Sequence, residues 1–210
     1  MADKGIIFSA AMVRALLKGR KTQTRRLLNP QPTMLTGRGK RIYRDQDWKR
    51  SWRDGCDDDL PYAVGDRLYV REAHAIVGAV DPGWILYRAS GYDEECERHG
   101  FDAPPPESEM RWKPSIHMPR WASRLWLEVT DVRVQRLRSI SEADARAESC
   151  AGILGPNPDF PDEWDPSPVE EFRDLWDSLH GCEGERWQDN PWIVAISFDV
   201  HHGNIDAAPN

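Results

Sequence analysis

The run Leu125-Trp126-Leu127-Glu128-Val129-Thr130-Asp131-Val132-Arg133-Val134-Gln135-Arg136-Leu137 constrains the fold most. Its β-branched and aromatic residues suit a pleated surface, so it reads as a strand. The run is long enough to require a bend or bulge.

Shorter strands are expected on both sides. Ile6-Ile7-Phe8 reads as a buried strand. At Val64 to Glu72 a Gly-Asp turn feeds a strand that alternates Leu68 and Val70 with Arg67, Tyr69 and Arg71. Trp84 to Arg88 reads as its antiparallel neighbour. Trp192 to Phe198 closes the domain as a buried strand, and the residues after Val200 are expected to trail off.

Three helices fit between them. Ser9 caps one through Met12, Val13, Leu16 and Leu17, which Gly19 ends. Ile140 to Glu148 opens with a capping serine. Val169 to Leu179 is amphipathic, with Phe172, Leu175, Trp176 and Leu179 on one face and Gly181 as its stop. Strands outnumber helices, and neither a β-α-β rhythm nor an internal repeat is present. The expected class is α+β: a strongly bent sheet or small β-barrel with peripheral helices and long loop insertions.

At 210 residues the chain fits one domain, 1–210, with insertions at about 30–62, 89–115 and 150–168. Sixteen prolines point to irregular segments carrying much of that length. In the first insertion, basic residues are interleaved with Trp48 and Trp52, which either grip a nucleic-acid strand or cover the barrel. The second, through Pro104-Pro105-Pro106, is acidic and reads as solvent-exposed.

No apolar run approaches the roughly 20 residues of a membrane span, and the first residues lack a basic region followed by a long apolar stretch, so a cytoplasmic protein is expected. Cys56, Cys96, Cys150 and Cys182 stand far apart, which indicates neither a zinc knuckle nor a disulfide framework. The expectation is no metal site and no cofactor.

Net charge is −7, yet residues 1–53 hold fourteen Lys and Arg against three Asp, a balance of +11 that leaves −18 for the remainder. This asymmetry suggests an anion-facing surface on an acidic body; a solvated basic loop is the bland alternative. Its densest part is Gly19-Arg20-Lys21-Thr22-Gln23-Thr24-Arg25-Arg26, directly after the first helix. A short strand there puts both threonines and Arg26 on one face and leaves Arg25 as an outward charge. The block Arg111 to Arg124, rich in Arg, Trp, Pro and His, is the second specialised stretch.

The Gly-Arg-Lys-Thr-x-Thr-x-Arg motif after an apolar helix, Gly-Asp-x-Leu-x-Val, the Ser-x-x-Ala-x-x-Glu helix and the final Trp-Ile-Val-Ala-Ile-x-Phe strand resemble the ASCH domain, a relative of the PUA RNA-binding fold. The insertions, and Pro114 to Arg124 in particular, are similar to phage and prophage members. The resemblance to bacterial N4-acetylcytidine amidohydrolases implies catalytic roles for Lys21, Thr24 and Glu148, with Arg26 as a substrate anchor. Threonine is a poor nucleophile until a base takes its proton. Lys21 serves if burial or the neighbouring Arg20, Arg25 and Arg26 lower its pKa, while Glu148 orients it or passes a proton to the leaving amine. Backbone N–H groups near Gly19 would stabilise an oxyanion. Arg20 and Arg25 join Arg26 in the expected substrate-binding set, and composition adds Glu72, His117, Arg120, Trp121 and Arg124.

Three functions remain open. The chain is an amidohydrolase acting on an acylated base such as N4-acetylcytidine, a non-catalytic RNA- or DNA-binding module, or a metal-independent ribonuclease for which His117 is the candidate. Its expected partner is a nucleoside or single-stranded nucleic acid. A salt-bridged strand and helix is the purely structural alternative for Lys21, Thr24 and Glu148.

Overall fold

A computed structural model describes residues 3–29, 31, 34–35, 41–42, 60–78, 83–101, 106–152 and 166–207. In chain order the elements are β1 (Asp3–Ile7), α1 (Ala10–Leu17), β2 (Gln23–Leu27), β3 (Met34–Leu35), β4 (Arg41–Ile42), β5 (Arg67–Arg71), β6 (His74–Val77), β7 (Trp84–Tyr87), α2 (Tyr92–His99), β8 (Leu125–Arg136), α3 (Glu142–Ala147), α4 (Pro168–Leu179) and β9 (Trp192–His202). The class is α+β, as expected. The largest sheet has the order β1-β5-β8-β9-β2, β3-β4 and β6-β7 are separate two-stranded sheets, and no strand pair closes a barrel among the described residues. No described helix is long and apolar enough to cross a membrane.

The chain divides into two compact units, residues 1–20, 65–128 and 199–210, and residues 21–64 and 129–198. In the first unit β1 runs parallel to β5, with Ile6 opposite Val70, and β5 runs antiparallel to the start of β8, with Leu68 opposite Leu127. Ile6, Phe8, Val13, Leu16, Leu68, Val70, Leu125 and Leu127 are buried there. Ser9 Oγ accepts from the Met12 N–H at 3.4 Å and starts α1, and Gly19, at φ +66°, ends it in a conformation that glycine adopts without a Cβ penalty.

Sequence reasoning erred in three places in this unit. Trp84 to Tyr87 pairs with His74–Val77, not with β5; the segment after Glu72 turns back immediately into a strand of its own. The acidic segment expected to be a solvent-exposed insertion contains α2, which buries Glu95 and Cys96. The chain after Val200 does not trail off: β9 continues to His202, and Ile205 beyond it is buried.

In the second unit β2 pairs antiparallel with β9, Thr24 opposite Ile196 and Arg25 opposite Ala195. Leu137, Ile140, Ala145, Cys150, Phe172, Trp176, Ile193 and Ala195 form its core. Burying side chains of the Leu, Ile and Phe kind stabilises by roughly 1.5–3 kcal/mol each, so this cluster is what holds α3 and α4. The expected apolar face of α4 holds at Phe172 and Trp176, but Leu179, the last residue of the helix, is 57% exposed. Trp48 and Trp52 lie outside the described residues.

Candidate active site

The site in the second unit is built where the entry to β2 meets the end of α3. A reciprocal capping box starts α3, the Asp144 N–H donating to Ser141 Oγ at 3.1 Å and the Ser141 N–H donating to Asp144 Oδ2 at 3.4 Å. Glu148 is the C-terminal cap one helical turn later. Ser149 then takes φ 81°, a conformation usually left to glycine, which turns the chain away. The Thr22 N–H donates to the Ala147 carbonyl at 2.9 Å and sets the lead-in to β2 against this helix end.

Lys21 is 0% exposed, and its Nζ donates to Glu148 Oε2 at 2.5 Å and to the Glu148 carbonyl at 3.2 Å. Glu148, 5% exposed, receives a second cation on its other oxygen: Arg25 Nη1 donates to Oε1 at 3.1 Å. Arg25 is therefore not the outward charge that strand alternation suggests; it is 3% exposed. Glu148 and Asp144 stand four residues apart on one helix face, and the Arg25 guanidinium reaches both, with Nη2 3.4 Å from Asp144 Oδ2. It also lies over the Phe172 ring, 5.6 Å from the centroid. The chain of charges continues outward from Asp144 through Arg133, at 3.0 Å, to Asp131, at 3.0 Å.

Electrostatics follow from this burial. Desolvation pushes the Lys21 pKa below its usual range, with Glu148 acting against the shift. Burial also lowers Arg25 and Arg26. Burial opposes ionisation of Asp144, yet hydrogen bonds from Arg133 and Ser141 and the Arg25 charge bring its carboxyl down to about 2. Cys150 is raised to about 12, by burial first and then by Glu171 and Glu148.

Thr24 is 1% exposed and shares its face of β2 with Arg26, whose Nη1 donates to Thr24 Oγ1 at 2.9 Å and to the Arg25 carbonyl at 3.0 Å. Alternation along β2 puts this pair on the face opposite Gln23 and Arg25. Lys21 lies before the strand begins, so alternation does not fix its direction. The structure thus joins Lys21 to Glu148 and Arg25, and Thr24 to Arg26. Arg26 bonds the threonine itself.

The remaining expected residues lie in the first unit. Arg20 is exposed and its N–H, like that of Gly19, donates back into the end of α1, so these amides are committed and form no oxyanion hole. Glu72 and Arg124 form a two-pronged ion pair, and the Arg124 guanidinium lies 4.0 Å from the Tyr87 ring centroid. Arg120 bridges Asp3 at 2.6 Å and Asp206 at 2.5 Å and lies over Tyr69. The two arginines therefore sit on tyrosines, and Trp121 between them in sequence is 48% exposed. His117 is exposed in a short 3-10 turn.

Sequence reasoning missed Asp144 and Arg133. The signal for Asp144 was present in the spacing Asp144 to Glu148, which places two carboxylates on one helix face.

No family model matches the chain. No curated protein matches it either. Two solved structures are similar to it. One is protein EF3133 from Enterococcus faecalis V583, described as family-model DUF984, with a TM-score of 0.43 and 12% identity over 100% of this chain and 86% of its own. The other is an ASCH domain from Lactobacillus crispatus JV V101, with a TM-score of 0.40 and 14% identity over 95% of this chain and 79% of its own. The functional reading rests on the geometry of the site and on the sequence motifs.

Proposed function

We propose that the chain is an amidohydrolase that removes an acyl group from a modified nucleobase such as N4-acetylcytidine. The observation that carries this reading is the wholly buried Lys21 amine held 2.5 Å from the Glu148 carboxylate, on the segment that also bears Thr24. The motif resemblance of Gly19 to Arg26 and Ser141 to Glu148 supplies the substrate class.

In this mechanism Lys21, as the free amine, takes the Thr24 hydroxyl proton, directly or through one water. Thr24 Oγ1 attacks the amide carbonyl, and the guanidinium of Arg26 stabilises the oxygen as it gains negative charge. Collapse of the tetrahedral adduct breaks the C–N bond, and Lys21 returns the proton to the departing nucleobase amine. Water, deprotonated by the same lysine, then attacks the threonyl ester; the bond from the acyl carbon to Thr24 Oγ1 breaks, Oγ1 takes the proton back from Lys21, and the carboxylic acid leaves. Glu148 holds Lys21 in place throughout.

Mass-spectrometric assay of N4-acylcytidines with wild type, Lys21→Ala and Thr24→Ala tests the reading. Turnover by wild type alone supports it, and equal activity in all three excludes it.

A second reading, a nucleic-acid-binding module without turnover, is favoured by one observation: Thr24 is tied to Arg26 on the opposite face of β2 from Arg25. Fluorescence titration with short RNA and DNA distinguishes it. Salt-dependent affinity that weakens on removal of Arg25 and Arg26 supports binding, whereas no affinity excludes it.

A further inference from the structure

We propose that the main-chain N–H of Arg25, together with the Arg26 guanidinium, forms a site for a carboxylate or an oxyanion beside Thr24 Oγ1. Its catalytic meaning rests on the hydrolase reading above; the anion site itself does not.

The register of β2 on β9 decides which of its amides the sheet uses. The Leu28 N–H donates to the Trp192 carbonyl at 3.1 Å and the Phe198 N–H donates to the Thr22 carbonyl at 3.0 Å, while between them Arg26 stands opposite Val194 and Thr24 opposite Ile196. In an antiparallel pair, residues that bond across to the partner strand alternate with residues that do not. Thr24 and Arg26 therefore face β9, and Gln23, Arg25 and Leu27 turn their N–H and C=O groups to the other edge. β2 is the last strand of its sheet, and no described strand takes that edge.

One position on the edge differs from its neighbours. Arg26 Nη1 donates to the Arg25 carbonyl at 3.0 Å and to Thr24 Oγ1 at 2.9 Å, which fixes the guanidinium over the edge beside the threonine hydroxyl. The Arg25 N–H points the same way as that carbonyl, and its nitrogen is bonded to the carbonyl carbon of Thr24. It has no acceptor among the described residues, in a residue only 3% exposed. Buried main-chain N–H groups are nearly always paired, so this donor calls for an acceptor from outside the chain. The amides of Gly19 and Arg20 are committed to the end of α1, whereas that of Arg25 is available next to the hydroxyl.

The chemistry of the hydrolase reading places an anion there twice. As the bond from Thr24 Oγ1 to the acyl carbon forms, the carbonyl π pair moves onto oxygen, which accepts from the Arg25 N–H and from the guanidinium. When the C–N bond breaks, that pair returns to re-form C=O. The carboxylate released later presents the same negative oxygen to the same two donors, and charge-assisted bonds of this kind are the strong ones.

Acetate, the carboxylate of an N4-acetyl group, is the probe. Thr-Arg occurs once in the chain, at Thr24-Arg25, so protein labelled with ¹³C-carbonyl threonine and ¹⁵N-arginine gives one unambiguous amide signal for Arg25. Titration with sodium acetate, against sodium chloride at equal ionic strength, should move the Arg25 amide proton downfield to saturation, and further than the amides of Gln23 and Leu27 on the same edge. Arg26→Ala should weaken acetate binding by about tenfold or more, and Arg26→Lys, which keeps the charge, by less. An Arg25 amide that stays still, moves no more than Gln23 and Leu27, or responds alike to acetate and chloride overturns the proposal, and this comparison within the wild type holds even when Arg26→Ala does not fold. A saturable Arg25 shift without turnover of acylcytidines would remove the hydrolase reading and leave the anion site standing. Turnover with an unmoved Arg25 amide would do the reverse.

Discussion

Arg124 grips Glu72 with two edges of its guanidinium, Nε on Oε1 at 2.9 Å and Nη2 on Oε2 at 3.0 Å, and its remaining nitrogen donates to Ser90 Oγ at 2.8 Å. All three nitrogens are engaged inside the protein. Arg124→Met therefore leaves a buried carboxylate without its partner, at a cost of about 3–5 kcal/mol. Burial, opposed by Arg124, already raises the Glu72 pKa. A carboxyl with a raised folded pKa contributes its stability below the unfolded value and loses it as pH climbs through the folded value. Urea midpoints for Arg124→Met should thus fall further behind wild type at pH 8 than at pH 4, and an equal deficit at both would contradict this account.

The two partners of the Lys21 pair are not equivalent. Glu148→Gln strands both Lys21 and Arg25 without a carboxylate on that side, whereas Lys21→Met leaves Glu148 bonded to Arg25. Glu148→Gln should be the more destabilising change, by roughly 3–5 kcal/mol in chemical denaturation, with Lys21→Met clearly milder. The reverse order would mean that Arg25 contributes little to holding Glu148.

Asp144 sets an acid limit. Its folded carboxyl lies at about 2, below the usual 3.8, so its stabilisation is complete above the unfolded value and is lost as pH falls from about 4 towards 2. The shift corresponds to roughly 2 kcal/mol. Thermal midpoints followed from pH 6 to pH 2 should drop more steeply for wild type than for Asp144→Asn, which has already lost this contribution.

Arg26 donates to the oxygen that the hydrolase reading makes nucleophilic. Arg26→Ala should lower kcat by about two to three orders of magnitude, the range seen on removing one donor from a developing oxyanion. Millimolar guanidinium should restore part of the rate in Arg26→Ala but none in Thr24→Ala. Uniform loss with no rescue would point to a folding role for Arg26.

At the start of the segment leading to α4, Gly152 has φ +58°, and a Cβ there would lie 2.5 Å from the Pro168 backbone nitrogen. Gly152→Ala combines backbone strain with a clash against rigid backbone, and should cost about 2 kcal/mol or more in thermal or urea unfolding. A variant as stable as wild type would show that the Pro168 turn moves freely.

Local signals were legible where one short segment decides the outcome. Ser9, Gly19 and Ser141 mark helix ends through one or two local hydrogen bonds or a single positive φ, and β8 announces itself by composition. Pairing partners were not, because they depend on distant residues: Trp84 to Tyr87 reads as a strand, but nothing in those residues says that His74 to Val77 lies beside them. Arg25 shows the same limit in the site. Alternation treats an arginine beside a buried threonine as outward, and only the arrival of Asp144 and Glu148 on one helix face makes its burial affordable. Lys21 and Glu148 were singled out by the resemblance of their motifs, and what the structure adds is their ion pair; Arg133 carried no local signal.

The order of segments in the two units has a practical consequence. The first unit is assembled from three stretches of chain and the second from two, so the backbone passes from one to the other four times, twice within the single strands β8 and β9. No cut at one position separates them. A fragment ending anywhere before Glu148 lacks the carboxylate for Lys21, and one beginning after Arg25 lacks both of its cations. During synthesis the basic segment near the start of the chain must therefore wait for more than a hundred further residues before its buried charges can be matched.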